Sequence, residues 1–109
     1  MTSDRMVQLT ADTVPVAHLA GELDLGNAGE CFEAMKAQVD GASVVVVDLS
    51  DVTFIDSTCV RELILLGQAR QVRIVAPPGG PRRVLEISGL DQVFAIFKTV
   101  TDAVQHAGS

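Results

Sequence analysis

Hydrophobic positions along this chain alternate between short apolar runs and a spacing of three to four residues, and each change of period marks a change of element. Met6 to Leu9 and Val14 to Leu19 are apolar segments separated by Thr10-Ala11-Asp12-Thr13, which predicts two strands joined by a tight polar turn. Pro15 belongs near a strand start or edge, since it has no N–H to give to a ladder. From Asn27 the period lengthens: Ala28, Cys31, Phe32, Met35 and Val39 share one helical face, with Glu30, Glu33 and Lys36 opposite. Asn27 with Glu30 three residues on predicts a capping box, and Gly41 predicts the end of that helix. Val44 to Leu49 is apolar except for Asp48 and rich in β-branched residues, the pattern of a strand covered on both faces, central and parallel to a neighbour.

Strand, helix and strand make a βαβ unit, and the right-handed crossover opens the loops after both strands onto one edge of the sheet. Asp24 and Ser57 are therefore expected to be neighbours in space. A second helix is predicted from about Thr58 to Ala69, with Val60, Leu63, Ile64 and Leu66 or Gly67 inward and Arg61, Glu62 and Gln68 in water. Gln71 to Ala76 supplies another strand. Pro77-Pro78-Gly79-Gly80-Pro81 is a stiff turn that places Pro81 at the first position of a third helix ending at Gly89. Leu90 to Lys98 predicts a short connection and a last strand, after which Thr101 caps a C-terminal helix containing Val104 and Ala107, with residues 106–109 fraying. The expected architecture is α/β: one domain over residues 1–109, core about 5–107, with a central mixed sheet of four to five strands packed against about four helices.

Composition narrows the function. With 109 residues and 48% hydrophobic content the chain suits one packed core and is too apolar for disorder. Its net charge of -6, the scatter of its eight Lys and Arg apart from Arg82-Arg83, and the lack of Trp and Tyr argue against direct contact with nucleic acid. Residues 1–6 lack the basic flank and apolar core of a signal peptide, and no apolar run reaches membrane-spanning length, so a cytoplasmic protein with no membrane partner is expected. Cys31 and Cys59 form no CxxC pair and lie far in sequence from His18 and His106, so neither a metal nor a cofactor is expected. Two readings of Cys59 stay open: a buried thiol, or a redox sensor whose pKa is lowered in the first turn of a helix. His18 reads as a strand histidine for which the sequence names no partner.

Ser57, at the strand-to-helix corner, is the residue with the most chemistry on offer. Its hydroxyl can cap the helix, or it can carry a phosphate against the positive end of the helix dipole. It is a poor catalytic nucleophile. It lies in no Gly-x-Ser-x-Gly elbow, no His or Lys is placed beside it, and the neighbouring Asp56 is a weak base at neutral pH, so no enzyme is expected. Asp24 and Asp56 are either solvated turn carboxylates or contacts to a partner. A phosphate adds nearly two negative charges. At about 5 Å from a partner carboxylate and an effective dielectric near 20 it costs roughly several kcal/mol, on the order of a thousandfold or more in affinity, with no change of conformation.

The run Asp48-Leu49-Ser50-Asp51-Val52-Thr53-Phe54-Ile55-Asp56-Ser57-Thr58 resembles the phosphorylation-site segment of bacterial anti-sigma factor antagonists, the STAS domain family. Leu19-Ala20-Gly21-Glu22-Leu23-Asp24 is similar to the family's turn after its second strand, and Arg83-Val84-Leu85-Glu86-Ile87-Ser88-Gly89-Leu90 to its third helix and exit. The three motifs follow in the family's order between residues 19 and 90. The main departure is Cys59, where such antagonists usually carry glycine. The resemblance implies that the unphosphorylated protein binds an anti-sigma factor with serine kinase activity and frees the sigma factor, that phosphorylation at Ser57 switches binding off, and that a phosphatase restores it. The implied partner surface is Asp24, Asp56, Ser57, Thr58, Cys59 and Arg61. Two other roles remain open: a STAS-type accessory subunit of a transport or lipid-trafficking ABC complex, and a scaffold subunit of a stress-signalling assembly.

Overall fold

A computed structural model describes residues 7–10 and 14–106, and the aliphatic residues Val45, Val46, Val47 and Leu49 lie buried at its centre. The elements are β1 (Val7–Thr10), β2 (Val16–Leu23), α1 (Ala28–Gln38), β3 (Val44–Ile55), α2 (Ser57–Ala69), β4 (Gln71–Val75), α3 (Gly80–Ile87), a 3-10 turn (Leu90–Gln92), β5 (Ala95–Phe97) and α4 (Val100–Gln105). The five strands pair in sequence order, β1 antiparallel to β2 and the remaining pairs parallel. A mixed sheet with four helices among the described residues is the architecture expected.

Alternation along β3 divides the core between the two faces of the sheet. Val45, Val47 and Leu49 pack with Phe32 and Met35 of α1, Leu63 and Leu66 of α2 and Leu85 of α3. Val46 faces the other way with Val16 and Val75, and α4 covers them through Ala103. The three helices that follow β2, β3 and β4 share a face because successive right-handed crossovers advance in one direction. Arg73, buried in β4, donates from Nη1 to the Ala103 carbonyl at 3.0 Å and so tethers the last turn of α4 to the sheet. His18 has a partner that only register reveals: it sits opposite Asp48, with Nδ1 2.7 Å from Oδ2. The buried Asp48 carboxylate also accepts the backbone N–H and the hydroxyl of Ser50.

Several local expectations are corrected. β3 does not stop at Leu49 but continues to Ile55, because β2 runs on beside it to Leu23 and supplies ladder partners. Two register shifts give β3 extra residues there, so its burial no longer alternates. On α2 the inward set is Cys59, Leu63 and Leu66, while Ile64 is 41% exposed and Glu62 is half-buried, 4.0 Å from Lys36. Gly79 takes the N-cap position of α3, which puts Pro81 second in the helix rather than first. The cap of α4 is Thr99, whose hydroxyl accepts the Asp102 N–H at 3.2 Å, and Thr101 is already helical. The turn residues 11–13, the start of the first strand at Met6, and residues 107–109 lie outside the described residues.

Candidate functional site

Parallel strands β2 and β3 end side by side, Leu23 opposite Ile55, and the Asp56 N–H donates to the Leu23 carbonyl at 3.2 Å. The chain then turns sharply. Asp56 is extended, with φ -119° and ψ -172°, and its Oδ1 accepts the N–H groups of Thr58 at 2.9 Å and Cys59 at 3.4 Å. These are two of the donors that a helix start leaves without intrahelical partners. Asp56 is thus the N-cap of α2, where the hydroxyl of Ser57 also qualified from sequence. Ser57 becomes the first helical residue, with its side chain exposed and outside the cap.

The other oxygen of the same carboxylate reaches across the sheet edge. Asp56 Oδ2 accepts the Leu25 N–H at 3.0 Å, so one side chain ties the loop after β2 to the corner after β3. The expected approach of the Asp24 loop to the Ser57 corner is made through this bond. The loop itself is fixed by short-range bonds: Asp24 Oδ1 accepts the Gly26 N–H at 2.9 Å, and the Asp24 carbonyl accepts from Asn27 and Ala28. Asn27 Oδ1 accepts the Asp24 N–H at 2.9 Å while its Nδ2 donates to the Glu22 carbonyl at 2.7 Å. Asn27 holds the N-cap position of α1 as expected, but no capping box forms because its side chain is engaged with the preceding loop.

The remaining predicted site residues fall on both sides of the surface. Thr58 is half-buried, and Arg61 is exposed four residues after Ser57, the spacing that places two side chains on one helical face. Cys59 is fully buried. Its thiol is pushed up to about 12 by burial first, with Cys31, Asp56 and Glu62 adding to the rise, and burial pushes the Cys31 thiol up to about 11. A lowered pKa for redox sensing is therefore corrected, and so is the expectation that the Cys59 side chain meets a partner. Its bulk is taken up inside the core. Leu25, 81% exposed, is a surface residue of this corner that pattern reading passed over. Its signal was a lone apolar residue between Asp24 and Gly26 in a loop otherwise built of turn formers.

Among the described residues, no group of three His, Cys, Asp or Glu side chains is placed to hold a metal ion, and no helix is long and apolar enough to cross a membrane. Residues 6–103 match the family model described as the STAS domain. The anti-sigma-F factor antagonist RsfB of Mycobacterium tuberculosis is 34% identical over 96 residues, which cover 84% of this chain and 79% of that protein. Among solved structures, an anti-sigma factor antagonist from Mycobacterium paratuberculosis superposes with a TM-score of 0.83 at 28% identity, covering 92% of this chain and 93% of its own. The anti-sigma factor antagonist SpoIIAA in its unphosphorylated form superposes at 0.70 with 21% identity, over 90% and 92% of the two chains, a likeness of fold.

Proposed function

The chain belongs to the STAS domain family, and from that premise we propose that it is an anti-sigma factor antagonist. In its unphosphorylated form it binds an anti-sigma factor that is also a serine kinase, acts in the cytoplasm and releases the sigma factor. Phosphorylation at Ser57 abolishes that binding, and a phosphatase restores it. The protein itself touches no nucleic acid, needs no cofactor and catalyses nothing.

One observation carries this reading: the Ser57 side chain is exposed at the first helical position while Asp56, not Ser57, performs the capping. The hydroxyl is thus available to a kinase without opening the helix. A phosphate placed there meets amides of Thr58 and Cys59 that already hold the Asp56 carboxylate. It therefore projects its charge outward, toward whatever docks on the corner. Arg61 on the same helical face offsets part of that charge locally, so the fold persists while docking changes. Asp24, Asp56, Ser57, Thr58 and Arg61 make up the proposed contact surface.

The test combines the purified protein and ATP with each anti-sigma kinase encoded in the same genome. One kinase is expected to add a single phosphate, located at Ser57 by fragment mass spectrometry. Ser57→Ala binds that kinase without being modified. Ser57→Asp, with one added charge in place of nearly two, loses binding by about a hundredfold and melts at nearly the wild-type temperature. Absence of phosphorylation by every such kinase, or unfolding of Ser57→Asp, defeats the proposal. Capture of a membrane ATPase insensitive to both substitutions favours the transporter-subunit role instead.

A further inference from the structure

We propose that Leu25 is a preorganised apolar anchor that seats in a pocket on the anti-sigma partner, a pocket bordered by cationic side chains; the inference rests on the function proposed above. A single leucine in water is ordinary on a protein surface and by itself means little. The difference here lies in how the loop is built. Every backbone N–H from Asp24 to Ala28 is hydrogen-bonded: those of Asp24 to Asn27, Leu25 to Asp56, and Gly26, Asn27 and Ala28 to Asp24. Asn27 adds its side-chain amide on the Glu22 carbonyl. This network holds the loop in one conformation, yet it leaves the leucine it carries 81% exposed instead of turning it into the core.

A side chain held out rigidly loses little conformational entropy when a partner closes over it, which is the property of an interface hot spot. Glycine at position 26 suits the tight bond of its N–H to Asp24 Oδ1, because a Cβ there would lie 3.3 Å from that oxygen and crowd the loop. Charge selects the occupant. The charged residues from Glu22 to Ala28 are Glu22 and Asp24, and Asp56 is bonded to the Leu25 backbone, so the leucine emerges among carboxylates. A second copy of this chain would bring like charges together around the leucine. A basic rim around an apolar pocket complements it instead. The shared Asp56 carboxylate joins this anchor to the Ser57 corner, so one partner surface meets both.

The experiment measures the affinity of unphosphorylated wild type, Leu25→Ala, Leu25→Asp and Leu25→Met for the anti-sigma factor that wild type binds, together with melting temperature and sedimentation of each protein alone. Leu25→Ala is expected to bind about tenfold to a hundredfold more weakly, as loss of one fully buried leucine implies. Leu25→Asp binds more weakly still, and Leu25→Met stays within about threefold, since volume and apolarity are kept. All four melt alike. If Leu25→Ala and Leu25→Asp bind as wild type while Ser57→Asp does not, the anchor is wrong and the antagonist role stands. If wild type binds no anti-sigma factor, both fall. A wild-type dimer that Leu25→Asp disperses overturns the assignment in favour of self-association.

Discussion

Asp56 joins two parts of the molecule through one side chain, one oxygen on the first turn of α2 and the other on the loop after β2. Replacing it with alanine removes a helix cap and the loop bond together, and the expected loss of stability is about 2 kcal/mol in urea unfolding. Asp56→Asn keeps a neutral acceptor and loses about half of that. Equal losses for the two would mean that the charge rather than the hydrogen bonds does the holding. Residues of this kind were only half legible. Aspartate and serine are both good caps, and choosing between adjacent candidates requires knowing where β3 ends, which depends on β2. The His18–Asp48 pair was illegible for the same reason, since ladder register brings together residues 30 positions apart. Asn27 was placed correctly as a cap residue, but its side chain answers to a loop whose shape no local pattern specifies.

At the level of elements, periodicity worked best where a face is wholly buried. The five residues assigned to the inward stripe of α1, Ala28, Cys31, Phe32, Met35 and Val39, are all buried. The stripe of α2 was misjudged at Ile64 because Leu63, Ile64, Leu65 and Leu66 are all apolar and hydropathy alone does not choose among them. The far half of β3 was missed because its composition resembles a turn and its strand character comes from pairing with β2. Buried thiols on α1 and α2 carry a measurable consequence. Raised folded-state pKa values of about 11 for Cys31 and about 12 for Cys59 mean that the folded protein keeps protons which the unfolded chain releases from about pH 8.5 upward. Their contribution is therefore fully present below about pH 8.5 and is lost as pH rises through the folded values, at about 1.4 kcal/mol per pH unit for each thiol. Urea unfolding between pH 7 and 10.5 should show this decline, and Cys59→Ala should make it shallower. An unchanged slope would show that other groups set the alkaline limit.

For the molecule as a whole, the parallel sheet and its helical cover were foreseeable from the succession of apolar periods, while the return of α4 across the opposite face was not. That return is held by Ala103 packing with Val16, Val46 and Val75 and by Arg73 reaching the Ala103 carbonyl, tertiary contacts with no local signature. Whole-molecule charge bears on association. A chain of net charge -6 approaching a basic surface is steered by long-range attraction that salt screens. The association rate with the anti-sigma partner is expected to fall about tenfold between roughly 0.05 and 0.5 M salt, with a smaller change in dissociation. Stopped-flow mixing measures this directly, and a rate indifferent to salt would remove electrostatic steering from the account.

Among the described residues, the border of the sheet beyond β4 is β5, of only three residues. Such a stub presents few unpaired backbone groups to a neighbouring molecule, which denies fibril growth the template that a long flat border provides on that side. Fibril seeding through the β5 border is therefore expected to be slow even in concentrated solution.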